Sequence, residues 1–90
     1  MKHATAAALD RLEALLRDLR KTNGLKEKSR GVFYRGGRAF LHFHEHGALL
    51  FADVRFHDAF DRRPVTTRSE QLALLRKVRA VTRTAKKNAK

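Results

Sequence analysis

Val32-Phe33-Tyr34-Arg35-Gly36-Gly37-Arg38-Ala39-Phe40-Leu41-His42-Phe43-His44-Glu45-His46-Gly47-Ala48-Leu49-Leu50-Phe51-Ala52-Asp53-Val54 is the stretch that decides the fold. Three runs rich in aromatic and branched residues are separated by two glycine turns, the pattern of an antiparallel meander. With Gly36-Gly37 as a two-residue loop, Tyr34 faces Ala39, Phe33 faces Phe40 and Val32 faces Leu41. A second turn centred on His46-Gly47 pairs Phe43 with Leu50, His42 with Phe51 and Phe40 with Asp53. Both turns sort the side chains alike. Val32, Tyr34, Ala39, Leu41, Phe43, Leu50, Ala52 and Val54 share one face, which must be the core. The other face receives Phe33, Phe40, His42, His44, Leu49, Phe51, Asp53 and Arg55.

Helices flank this stretch. Leu9, Leu12, Leu16 and Leu19 recur with helical spacing between Thr5, a suitable N-cap, and Asn23-Gly24, a C-terminal stop. Leu25–Arg30 reads as a charged connector and Phe56–Arg63 as irregular chain. Thr67-x-x-Glu70 is the signature of a capping box, and Leu74, Leu75, Val78 and Val81 form one stripe of the helix behind it. The expected fold class is α+β, in the order α-β-β-β-α. It has a three-stranded antiparallel meander, or four strands if Pro64-Val65-Thr66 adds an edge, and two helices packed on one sheet face. Leu12, Leu16, Leu75 and Val78 should meet that face. Residues 1–82 form one domain and residues 83–90 a basic C-terminal tail or helix extension.

Composition narrows the partners. The 90 residues carry 21 Lys+Arg against 9 Asp+Glu, a net charge of +12. Such an excess calls for a polyanion, nucleic acid before an acidic protein or membrane surface. The charge is uneven: residues 68–90 hold eight basic residues against Glu70, while residues 39–67 are close to neutral. There is no cysteine, so disulfides and thiolate metal sites are excluded. No apolar run is long enough for a membrane span or signal peptide, and a cytoplasmic protein is expected.

Three groups of residues could carry function. Arg76, Arg79, Arg83, Lys86 and Lys87 line one side of the last helix with almost no acidic neighbours. Like charges there repel one another, and a phosphate backbone would relieve that repulsion and release counterions. His42 and His44 alternate on a strand, so both imidazoles point one way. With Asp53 on the diagonal they could hold a divalent metal or a small ligand, or act as an acid/base pair. Alternatively, they are half-buried residues satisfied by hydrogen bonds to Asp53. Phe33, Phe40, Leu49 and Phe51 would form an exposed apolar patch, which calls for a homodimer or for cover by the Phe56–Arg63 loop. No phosphate-binding loop, dinucleotide fingerprint, nucleophile elbow or metalloprotease motif occurs, and Ser29 and Ser69 have no visible base. Catalytic residues and a resident cofactor are therefore not expected, and Arg35-Gly36-Gly37-Arg38 reads as a plain hairpin turn.

The runs Gly31–Tyr34, Arg38–Glu45, Leu50–Arg55 and Pro64–Thr67 resemble a group of short uncharacterised bacterial proteins, a likeness that implies a compact domain and no activity. The helix followed by a strand, a glycine turn and a second strand is similar, more faintly, to YjbR/MmcQ-like domains, which are associated with a proposed DNA-binding fold. No functional residue carries over from either. The expected function is non-catalytic nucleic-acid binding through phosphates, with the His42/His44/Asp53 face and a structural interaction module as alternatives.

Overall fold

The computed structural model describes the backbone of residues 1–88 and the side chains of residues 1–83, so the side chains of Lys86 and Lys87 in the basic stripe fall outside what is described. The elements are β1 (Lys2–His3), α1 (Ala6–Arg11), α2 (Glu13–Arg20), β2 (Lys26–Ser29), β3 (Val32–Arg35), β4 (Arg38–His46), β5 (Leu49–Val54), β6 (Asp61–Pro64) and α3 (Arg68–Asn88). The class is α+β, and the meander is extended to a six-stranded antiparallel sheet in the order β2-β3-β4-β5-β6, with β1 also on β4. β3 pairs with β4 only as far as Leu41. β1 takes up the free edge beyond it, opposite His44 and Glu45.

The expected helix over residues 5–22 is divided at Leu12, whose N–H bonds the Leu9 carbonyl three residues back, a one-residue tightening of the helical turn. The leucine stripe continues across the break, with Leu12, Leu15, Leu16 and Leu19 all fully buried. Thr5 caps α1 by accepting the Ala8 N–H. Its own N–H and hydroxyl both donate to the Glu45 carboxylate, at 2.6 and 2.8 Å. This tie fastens the start of the helical layer to the sheet. The capping box of α3 is formed in both directions, Thr67 N–H to Glu70 Oε1 at 3.0 Å and Glu70 N–H to Thr67 Oγ1 at 3.1 Å.

Two corrections concern register. On β4–β5 the loop residues are Gly47 and Ala48, so His42 faces Asp53 and Phe43 faces Ala52. The pairing moves by two residues from the one expected. A shift of two preserves faces, because side chains alternate with period two. Leu41, Phe43, Leu50, Ala52 and Val54 are accordingly all buried. On β3–β4 the first pairs are as expected, but a bulge follows, and Phe33 lies opposite Leu41 instead of Phe40. One extra residue on β4 reverses the faces of β3. Phe33 and Phe40 therefore enter the core at 0% and 2% exposure, while Val32, Tyr34 and Ala39 are only half-buried.

The core lies between the helices and this sheet face. Leu12, Leu16, Leu75 and Val78 join it as expected, together with Leu15, Leu19, Val65 and Leu74. Leu25–Arg30 is not a mere connector, since Lys26–Ser29 forms the edge strand β2. The last strand is Asp61–Pro64, three residues earlier than the one expected at Pro64–Thr66. Among the described residues, no helix is long and apolar enough to cross a membrane.

Candidate functional site

Two polar assemblies lie on this framework. The first is a basic band. A groove of about 770 Å³ is lined by Lys21–Gly24 at the end of α2, by Arg35 and Gly36 of the β3–β4 turn, and by Arg79, Thr82 and Arg83 of α3. Arg35 is drawn toward the helix, its Nη2 donating to the Val81 carbonyl at 3.5 Å. A neighbouring depression adds Arg76 to Arg79 and Arg83, and another joins Arg35 and Gly36 to Arg38 and Arg55. None of the three is lined by a carboxylate among the described residues.

Most of the acids are engaged elsewhere. Glu13 binds Arg17, Arg20 and Arg30, and Asp10 also binds Arg30. Glu27 binds Arg20, Asp18 binds Arg68, and Asp61 binds Arg63. Arg35, Arg38, Arg55, Arg76, Arg79 and Arg83 make no ion pair with a described residue. Arg76, Arg79 and Arg83, expected from the sequence, are thus exposed on one side of α3. Folding adds Lys21, Arg35, Arg38 and Arg55, which come from three separate segments. Their one sequence signal is the pair of arginines around Gly36-Gly37.

The second assembly is on the sheet face away from the helices. His42, His44 and Asp53 lie together, with one donor atom from each within 4.8 Å of the others. The two-residue register shift places Asp53 directly opposite His42, and β6 then sets Arg62 directly opposite Asp53. His44 Nε2 is 3.0 Å and His42 Nε2 3.5 Å from Asp53 Oδ2. Arg62 grips the same carboxylate with Nε on Oδ1 at 2.8 Å and Nη2 on Oδ2 at 3.0 Å. That guanidinium holds the Asp53 carboxyl below its ordinary range. Burial pushes the His42 imidazole below its own, only partly opposed by the Asp53 charge. His3 of β1 stacks on His44 with ring centroids 4.7 Å apart. Phe60, itself under the Arg55 guanidinium at 4.3 Å, meets His42 edge-on at 5.0 Å. Neither His3 nor Arg62 was signalled as part of this cluster by the sequence, because their partners are distant along the chain.

The expected apolar patch is not formed. Phe33 and Phe40 are core residues for the reason given by the bulge, Phe51 is half-buried, and only Leu49, at 49% exposure, stands out. The case for a homodimer through those four residues goes with it. Comparison with known protein families, with curated proteins and with solved structures found no match.

Proposed function

We propose that this protein binds nucleic acid without catalysis, through phosphate contacts along the band formed by Lys21, Arg35, Arg76, Arg79 and Arg83. One observation carries the reading: acids and bases are segregated, so that six arginines elsewhere have carboxylate partners and the band has none among the described residues. Uncompensated like charges repel, and the repulsion is relieved when phosphates enter. A groove between a helix and a hairpin turn suits a phosphodiester strand better than the flat surface of a bilayer. Backbone contacts of this kind position a nucleic acid and carry little sequence information. The reading implies a cytoplasmic protein.

The test is fluorescence anisotropy with a labelled duplex over a range of salt concentrations. Each phosphate neutralised contributes about 0.9 to the slope of log affinity against log salt. Replacing Arg79 and Arg83 together with alanine is expected to flatten the slope by roughly 2 and to weaken all sequences alike. His42→Ala, on the opposite sheet face, is expected to leave binding unchanged. Absence of binding at ~50 mM salt, where such contacts are strong, defeats the proposal.

A further inference from the structure

We propose that His42, His44 and Asp53 form a binding site for a divalent transition metal of the zinc class, entered by displacement of Arg62 from Asp53. This inference does not depend on the nucleic-acid reading, since it concerns the other sheet face. The spacing of the donor atoms is its first support. Two ligands bound to one zinc ion at the usual distances, in a tetrahedron, lie roughly 3.3 Å apart. His44 Nε2 and His42 Nε2 are 3.0 and 3.5 Å from Asp53 Oδ2, close to two edges of such a tetrahedron. All three residues project from paired strands, β4 and β5, so their spacing is held by the sheet ladder.

The hydrogen bonding is the second support. Asp53 Oδ2 accepts from Arg62 Nη2 and also has His44 Nε2 and His42 Nε2 within 3.0 and 3.5 Å, whereas Oδ1 accepts only from Arg62 Nε. Two imidazole nitrogens thus crowd one carboxylate oxygen that already accepts a guanidinium hydrogen bond. His44 Nδ1 is buried and has no hydrogen-bond partner. The tautomer of His44 is therefore not set from that side. With its proton on Nδ1, His44 presents an Nε2 lone pair to a cation, at the cost of a buried N–H that has no acceptor among the described residues.

Among the described residues Arg62 is the group that competes, and it is readily moved. Its side chain is 49% exposed, against 11% for Asp53 and 13% for His44. Its hydrogen bonds to described residues are those to Asp53. His3 lies nearly flat on His44, at 28°, and covers the cluster instead of aiming into it. Two imidazole nitrogens and one carboxylate oxygen suit Zn²⁺ or Co²⁺ better than Mg²⁺ or Ca²⁺, which take all-oxygen sites. The remaining coordination position is left to solvent.

The experiment titrates the full chain, carrying no polyhistidine tag, with Zn²⁺ by calorimetry and with Co²⁺ by visible absorption. One Zn²⁺ per chain is expected, at micromolar dissociation constant or tighter. His42→Ala and Asp53→Asn should each weaken binding by at least about tenfold. Arg62→Gln, which removes the competitor, should strengthen it by roughly two- to fivefold, the worth of a half-exposed ion pair. His57→Ala, outside the cluster, should change nothing. Because Asp53→Asn also leaves Arg62 without its partner, ¹⁵N imidazole resonances of the unaltered protein give a second readout: Zn²⁺ should move those of His42 and His44 and leave His57 in place. Three results would each overturn the proposal: no saturable binding in the micromolar range, binding that survives both ligand substitutions, or loss of binding in Arg62→Gln.

Discussion

Glu27 shows how a single residue can make structure where hydrophobic pattern is silent. Lys26-Glu27-Lys28-Ser29 has no apolar residue, yet it forms an edge strand. The Glu27 carboxylate accepts the Gly31 N–H at 2.9 Å and is bound by Arg20 of α2, which fastens the β2–β3 turn to the helical layer. Gly31 completes the arrangement, with a φ of +80°; a Cβ there would lie 2.7 Å from Leu9 Cδ2. The Arg20 guanidinium holds the Glu27 carboxyl below its ordinary value of 4.5. A carboxylate whose pKa is depressed by folding contributes stability that is fully present above its ordinary value and is lost as pH falls through the folded one. The urea midpoints of the native protein and Glu27→Gln should therefore differ most near neutral pH. The gap should narrow on acidification below about pH 4.5. A gap of equal size at pH 7 and pH 3 would show that the carboxylate charge is not its source.

At the scale of elements, the helices were the most legible part and the first hairpin the least. Thr67 and Glu70 form their reciprocal cap from local geometry alone, and the leucine stripes meet the sheet where their periodicity put them. The β3–β4 bulge follows no turn signal. It sets Phe40 and Leu41, adjacent in sequence, both in the core, at 2% and 0% exposure. Two aromatic rings that alternation would leave in water are thereby buried, a gain of roughly 1.5–3 kcal/mol for each side chain. The bulge has a direct consequence for stability. Phe33→Ala should cost about 3–5 kcal/mol, as for a core aromatic. Tyr34→Ala, half-buried beside Lys28, should cost roughly 1 kcal/mol, the scale of a cross-strand pair. Equal costs for the two, measured by urea unfolding, would contradict the bulged register.

Over the whole molecule, charge is organised into two regions. Around α1, α2 and β2 the acids and arginines neutralise one another, whereas the groove between α2, the β3–β4 turn and α3 is basic without compensation among the described residues. The distinction separates two arginines that sequence alone would treat alike. Arg35 lines the groove, while Arg63 is paired with Asp61 at 2.9 Å. If the proposed nucleic-acid binding holds, Arg35→Gln is expected to lower its salt slope by about 0.9, the contribution of one phosphate. Arg63→Gln is expected to leave it unchanged. Equal losses in the two variants, measured by anisotropy, would mean that net charge and not the groove governs binding.

By itself the sequence determined the α+β class, the helix stripes and caps, the core face of β4 and β5, and the basic character of α3. Each of these rests on contacts between residues near one another in the chain, or on a period that a shift of two residues does not alter. It also brought His42, His44 and Asp53 onto one face. Only the tertiary structure decided that Asp53 lies between His42 and Arg62, that His3 covers His44, that Phe33 and Phe40 are core residues, and that Lys21 and Arg35 join Arg79 and Arg83. These depend on strand register and on the meeting of distant segments. A single extra residue in one ladder changes the face of every side chain on its partner, and side-chain alternation alone gives no sign of where that residue falls.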